Sequence, residues 1–254
     1  MKYVRNRQKE ILELLNQTEK VLITDLSNHF SVSEMTLRRD LDILAQKGVI
    51  KRIRGGAIKI NQGSYEMPFE MRCDKEYEAK SIISKKAASM IRDGETVVID
   101  TGTTALVVAE ELAERNNLTI LTSSLRVAWL LADRPNINLI VLGGVVRKGE
   151  RSLVGELVED VFENFFPDTF IMGVGGIDAE CGFTDFDIDD VKVKRKAIKS
   201  SQRTIVVADE SKIEKKAFVK IASINEIDTF ITNRPLSMEK INRLKKNDLT
   251  IVLA

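Results

Sequence analysis

The sequence predicts two units in series: an α+β winged helix-turn-helix domain, followed by an α/β sandwich domain with a mainly parallel sheet. Three observations point there. The first sixty residues alternate short amphipathic helices and end on one basic hairpin. Beyond residue 75, seven short apolar runs alternate with helical stretches, the pattern of a parallel sheet covered by helices. Between the two lies "INQGSYEMPFEMRCDKEY", polar, mixed and without period. The expected division is therefore 1–60 and 76–254, with 61–75 as linker.

Composition excludes several classes. Of 254 residues, 43% are apolar and 30% charged, which supports a packed core and excludes wholesale disorder. No apolar run approaches the ~18 residues that span a bilayer. The opening "MKYVRNRQKEILELL" lacks a signal peptide's apolar middle, so a cytoplasmic protein without a membrane partner is expected. Cys73 and Cys181 form neither a metal-ligand pattern nor a disulfide framework; no metal and no cofactor is expected. The net charge of +1 divides unevenly. Residues 1–60 carry 12 Lys+Arg against 7 Asp+Glu, and the rest 27 against 31. A basic head on a mildly acidic body suits a polyanionic partner.

From Tyr3, "YVRNRQKEILELLNQ" sets Val4, Gln8, Ile11, Leu12 and Leu15 along one side of a helix. The apolar piece "KVLIT" follows, and Thr24 is expected to cap the short helix "DLSNHF". "SVS" turns the chain. Ser33 caps a helix expected over Glu34 to Lys47, and Gly48 suits its left-handed exit. On that third helix Leu37, Leu41 and Leu44 form a narrow stripe for the core, leaving Ser33, Met35, Thr36, Arg38 and Arg39 on outward faces. Arg38 is also expected to pair with Glu34 and Asp42, four residues either way, for a few tenths of a kcal/mol each. Then "GVIKRIRGGAIKI" predicts a hairpin with a basic tip: Lys51, Arg52 and Arg54 beside the Gly55-Gly56 turn. A helix presenting Arg and Ser/Thr, flanked by such a wing, suits the major groove and backbone of double-stranded DNA. His29, the sole histidine, is read as a surface residue.

In the second unit a helix is expected over roughly Lys75 to Ile91. The strand-like runs are "TVVID", "LTILT", "NLIVLGG", "TFIMGVGG", "TIVVAD", "TFITN" and "LTIVLA". The helical stretches are "TALVVAEELAER", "SLRVAWLLAD", "LVGELVEDVFENFF", "DVKVKRKAIKSS" and "SMEKINRLKK". Open sheets of this kind bind ligands at the carboxyl ends of their strands. There, after Asp100, the residues Thr101, Gly102, Thr103 and Thr104 make a small-residue turn into a helix, and their hydroxyls, glycine and helix start are chemistry for an anion; a threonine-rich helix start that merely caps itself is the alternative. Ser123, Gly143, Gly144, Gly175, Gly176, Asp178 and Lys212 fall at other strand ends. Hydroxyls, glycines and a lysine on one rim suit a small phosphorylated polyol, though some of these glycines are equally read as ordinary tight turns.

The stretch "VSEMTLRRDLDILAQKGVIKRIRGGA" resembles the N-terminal signature of the DeoR family of bacterial transcriptional regulators, with Arg54 where the family usually has His. The second unit resembles the same family in D-x-G-T-T (Asp100 to Thr104), Gly143-Gly144, S-L-V-G (Ser152 to Gly155), G-V-G-G-I-D (Gly173 to Asp178), Lys194-Arg195 and D-x-S-K (Asp209 to Lys212). Ser123, Asp190 and Glu214 depart from a usual Asn, Glu and Gly. The resemblance implies a sugar-phosphate sensor of ribose-5-phosphate-isomerase-like fold, with Thr101–Thr104 and Lys212 around the phosphate. Asp100 and the "VGGID" loop would lie near the hydroxyls. It further implies a repressor of a carbohydrate-utilisation operon, a homo-oligomer (dimer or tetramer) on its operator, modulated by a phosphorylated sugar or sugar alcohol. Two other readings compete. One is a sugar-phosphate isomerase-like enzyme using Asp100, Asp178 and Lys212 as acid–base groups, which has no need of a basic winged helix. The other is an architectural nucleic-acid binder without a ligand.

Overall fold

The computed structural model describes residues 2–46, 48–59, 66–234 and 249–254. It falls into two compact units, residues 1–71 and 72–254.

The first unit runs α1 (Lys2–Thr18), β1 (Lys20–Leu22), α2 (Ile23–Phe30), α3 (Glu34–Gln46), β2 (Ile50–Ile53) and β3 (Gly56–Lys59). The three strands form an antiparallel sheet in the order β1-β3-β2. Ile11 and Leu15 of α1, Leu26 of α2 and the expected Leu37/Leu41/Leu44 stripe close the core. Gly48 leaves α3 in the left-handed region, φ 69°. Gly56 lies against the Val21 carbonyl so closely that a Cβ would overlap it; only glycine lets β1 pair here. The expected cap at Thr24 does not form. Helix α2 starts two residues earlier, after extended Leu22, so Thr24 sits inside the first turn with its hydroxyl 3.4 Å from Asp25. Lys47, the expected last residue of the third helix, lies outside the described residues.

Part of the stretch expected as linker is helical: the six residues of α4 (Phe69–Asp74), with Phe69 buried. The second unit continues with α5 (Tyr77–Ser89), β4 (Thr96–Ile99), α6 (Thr103–Leu112), β5 (Leu118–Thr122), α7 (Leu125–Leu131) and β6 (Ile137–Val141). Next come β7 (Val145–Arg147), β8 (Ser152–Val154), α8 (Glu156–Glu159), β9 (Thr169–Met172), β10 (Gly176–Asp178), β11 (Gly182–Asp185) and α9 (Ile188–Ser200). The last strands are β12 (Arg203–Val207), β13 (Val219–Ala222), β14 (Thr229–Thr232) and β15 (Thr250–Leu253). All seven expected strands enter one parallel sheet, in the order β15-β14-β12-β9-β4-β5-β6. Strand periodicity sends alternate residues to opposite cores. Val98, Phe170 and Val206 join one; Val97, Ile99, Ile171 and Ile205 join the other.

Two small antiparallel sheets form, β7-β8 and β10-β11-β13; all their strands but β13 occupy segments that read as glycine-rich loops. The run "LVGELVEDVFENFF" yields only the four residues of α8 and a 3-10 turn at Asp160–Glu163. The expected helix "SMEKINRLKK" lies outside the described residues. No helix among the described residues is long and apolar enough to cross a membrane.

Strand order locates the site. The chain builds outward from β4 to β5 and β6, then returns to place β9 on the other side of β4 and continues to β12, β14 and β15. The reversal opens a crevice at the carboxyl ends of β4 and β9, the place where sheets of this type receive ligands.

Candidate functional site

On α3 the Ser33 hydroxyl accepts the Thr36 N–H at 3.3 Å and meets the Thr36 hydroxyl at 2.9 Å, fixing the helix start. Met35, Arg38 and Arg39 are exposed beyond it. Of the two carboxylates expected on Arg38, Glu34 makes the pair at 3.2 Å, whereas Asp42 turns to Arg52 of the wing at 3.1 Å. The Arg52 Nη1 is buried with no hydrogen-bond partner, a donor suited to an incoming phosphate. Lys51 and Arg54 are exposed on the hairpin, and Gly55 turns it at φ 78°. His29 is half-exposed, 2.7 Å from Glu10.

Asp40 is the residue that sequence reasoning passed over. It sits three residues after Leu37, on the core side, and is 2% exposed. Arg7 Nε and Gln8 Nε2 of α1 donate to its two oxygens at 2.6 and 3.0 Å. A carboxylate at a core position was the available signal.

In the second unit, Asp100 and Gly173 meet across the crevice: the Gly173 N–H donates to Asp100 Oδ2 at 2.9 Å. Lys194 of α9, 3% exposed, has three protons and finds three acceptors: Asp100 Oδ2 at 2.9 Å, Asp185 Oδ2 at 2.5 Å and the Gly173 carbonyl at 2.8 Å. Burial penalises the Lys194 ammonium, but the two carboxylates outweigh it and hold its pKa up. Burial likewise works against Asp185, yet Lys194 keeps its carboxyl below the usual range, while burial pushes Asp100 up. One buried ammonium thus ties together three crevice walls.

Gly102, at φ 102°, occupies the N-cap of α6 and supplies no side-chain cap, so the self-capping alternative for these threonines does not hold at that position. Thr101 and Thr103 are buried and Thr104 half-buried. At the next strand end Ser124, not Ser123, caps its helix, accepting the Val127 N–H at 3.3 Å. Ser123 is buried, and its carbonyl accepts the Leu153 N–H at 2.7 Å. Gly143 faces open space. Gly144 is a packing glycine whose Cβ would meet Val158 at 2.6 Å. Gly175 and Gly176 are similarly packed, under Phe186 and the Lys215 carbonyl. Asp178 belongs to its own turn, accepting the N–H groups of Glu180 and Cys181 at 3.0 and 2.9 Å, with Lys216 at 3.4 Å.

Lys212 ends a 3-10 turn that Asp209 caps at Ser211 N–H, 2.9 Å. Burial lowers its pKa; Arg72 and Lys215 add to the effect, and Asp209 and Asp185 oppose it. Behind β7, Arg147 reaches Asp187 at 2.9 Å and Asp190 at 2.6 Å; burial pushes Asp190 up to about 6.

A reader built from helix and wing, joined in one chain to a doubly wound α/β unit with a ligand-ready crevice, defines a DNA-binding transcriptional regulator with a sensor. Residues 7–63 match the family model described as DeoR-like helix-turn-helix domain, and residues 75–234 match the DeoR C terminal sensor domain. The chain belongs to the DeoR family. Curated relatives agree over nearly the whole length. The HTH-type transcriptional regulator GolR of Listeria innocua is 32% identical over 98% of both chains. The Glycerol-3-phosphate regulon repressor of Escherichia coli is 36% identical over 90% of both. Among solved structures, ribose 5-phosphate isomerase A from Methanocaldococcus jannaschii aligns with 55% of each chain at 18% identity and a TM-score of 0.41, a partial likeness.

Proposed function

We propose that the chain represses a carbohydrate-utilisation operon and that a phosphorylated sugar or sugar alcohol modulates its grip on the operator. The observation that carries this reading is the crevice at the strand reversal. An uncapped helix start at Gly102 and the hydroxyls of Thr101, Thr103 and Thr104 follow the carboxyl end of β4, and the half-buried Lys212 follows the carboxyl end of β12 in the same sheet. In this reading Thr101–Thr104 and Lys212 hold the phosphate, and Asp100 and Ser123 lie toward the polyol. The printed name of the Escherichia coli relative, a glycerol-3-phosphate regulon repressor, supports a small phosphate ester as the ligand class. A palindromic operator calls for at least a dimer, and the site of action is the cytoplasm. The isomerase reading has less support: Asp100 is bound by Lys194, and Asp178 is engaged in a turn of its own.

A thermal-shift screen of sugar phosphates tests the ligand. An ester at 100 times its dissociation constant should stabilise the chain by about 2.7 kcal/mol, and Lys212→Ala should abolish most of that shift. No shift with any ester refutes the ligand assignment. On the reader, Arg39→Ala should cost about 1–3 kcal/mol against one preferred sequence, measured by competition with a scrambled duplex. Arg52→Ala should instead weaken all duplexes alike and flatten the salt dependence. Equal behaviour of the two variants refutes that division of labour.

A further inference from the structure

Three cations gather at one corner of the sensor, of which only Lys212 is named by the sequence pattern. Lys80 of α5 is 4% exposed and donates to the carbonyls of Arg72, Cys73 (3.4 Å) and Lys75 (2.6 Å), closing the end of α4. Asp209 and Lys212 lie within its electrostatic reach. Arg72 in turn lies within reach of Lys80, Lys212 and Asp185. Its Nη2 forms an ion pair with Glu150 at 2.5 Å, without hydrogen-bond geometry, and that carboxylate is 6% exposed in the turn between β7 and β8. Burial pushes Lys80 down to about 8, and Lys212 and Arg72 push the same way. Asp209 opposes the shift on both lysines, and a further anion at this corner would act in the same direction.

We propose that Arg72 is an effector-operated latch: without ligand it grips Glu150, and on binding a phosphate monoester its guanidinium exchanges that carboxylate for the phosphate. This rests on the sugar-phosphate reading and adds the residue that responds. The chemistry suits the exchange. A guanidinium fork matches phosphate as well as carboxylate, and a dianion beside Lys80 and Lys212 adds to the attraction that Asp209 already supplies to both. Position makes the exchange consequential. Arg72 is the first residue of the sensor unit, and its own carbonyl is held by Lys80. Charge at this corner therefore acts on both the side chain and the main chain where the reader's sequence ends.

The test uses the full chain as wild type, Glu150→Gln and Arg72→Lys. Probes are inorganic phosphate, glycerol 3-phosphate and ribose 5-phosphate by thermal shift. DNA affinity is read by anisotropy on a duplex that the wild type selects from a random pool. Glu150→Gln should bind the active ester about tenfold tighter and, with no ester present, should bind DNA as the ester-saturated wild type does. Arg72→Lys, which keeps the charge and loses the fork, should bind the ester about tenfold more weakly and cut its effect on DNA at least about fivefold. If Glu150→Gln fails to melt cooperatively, Arg72→Lys decides alone. An ester that shifts the wild type and both variants equally, with equal effects on DNA, overturns the latch and leaves the ligand reading standing. No response of the wild type to any probe overturns both.

Discussion

Lys194→Met should lower the unfolding midpoint of the sensor by roughly 10 °C, corresponding to about 3–5 kcal/mol, although the side chain nearly matches in volume. The cause is what remains. Asp100 and Asp185 would face one another in a dry interior with no cation between them, and the Gly173 carbonyl would lose its donor. The pH dependence identifies the mechanism. In the variant no cation remains in contact with both carboxylates, Arg72 and Lys212 acting on Asp185 only at longer range, so a carboxyl of the pair acquires a raised folded-state pKa. Stability should then increase as the solution is taken from about pH 7 to about pH 5, because a raised acid contributes only while it is protonated. Adding Asp100→Asn should recover part of the loss. Scanning calorimetry of the three proteins decides; a single-variant loss under about 1 kcal/mol, independent of pH, contradicts the argument.

Asp40→Ala should disable the reader without touching its outward face. The carboxylate joins α3 to α1 through Arg7 and Gln8, and its removal strands both donors beside the core. The expected cost is about 3 kcal/mol, a large part of the roughly 5 kcal/mol available to a unit of this size. Asp40→Asn keeps the shape and one acceptor and should cost about 1 kcal/mol. Hydrogen exchange at α3 amides separates the two variants. DNA affinity should fall with that protection, most for alanine, and equal protection in both would contradict the charge-pairing account.

The elements that announced themselves in the sequence share one property: a period long enough to read. Val97 to Ile99, Phe170 to Met172 and Ile205 to Val207 alternate between two apolar cores, and such runs identified every strand of the main sheet. The Leu37/Leu41/Leu44 stripe and Gly48 located the third helix of the reader in the same way. Three-residue strands such as β7 and β8 carry too few residues for a period, and their glycines suggested loops. Helix α4 was hidden by its six-residue length in a polar stretch. At the crevice the residues proposed for the phosphate could be singled out because a strand end, a glycine and hydroxyls are adjacent in the chain. Lys80 and Arg72 were not, and Lys194 stood out only as part of a family motif, since each finds its meaning in partners supplied by other turns of the fold. Gly144, Gly175 and Gly176 matched a family pattern whose physical reason is close packing.

Glu34 and Asp42 give the reader a property beyond solubility. Each keeps a guanidinium occupied in the unbound chain, Arg38 and Arg52 respectively. Any stray duplex must evict these built-in stand-ins before it gains a contact, which trims the attraction to every address alike. On the proposed division of labour a true operator keeps its lead, because Arg39, the proposed base reader, has no acid partner among the described residues. Among ~10⁶–10⁹ competing genomic positions, that trimming shortens the time spent at wrong ones. The two acids on this basic face thus serve the search.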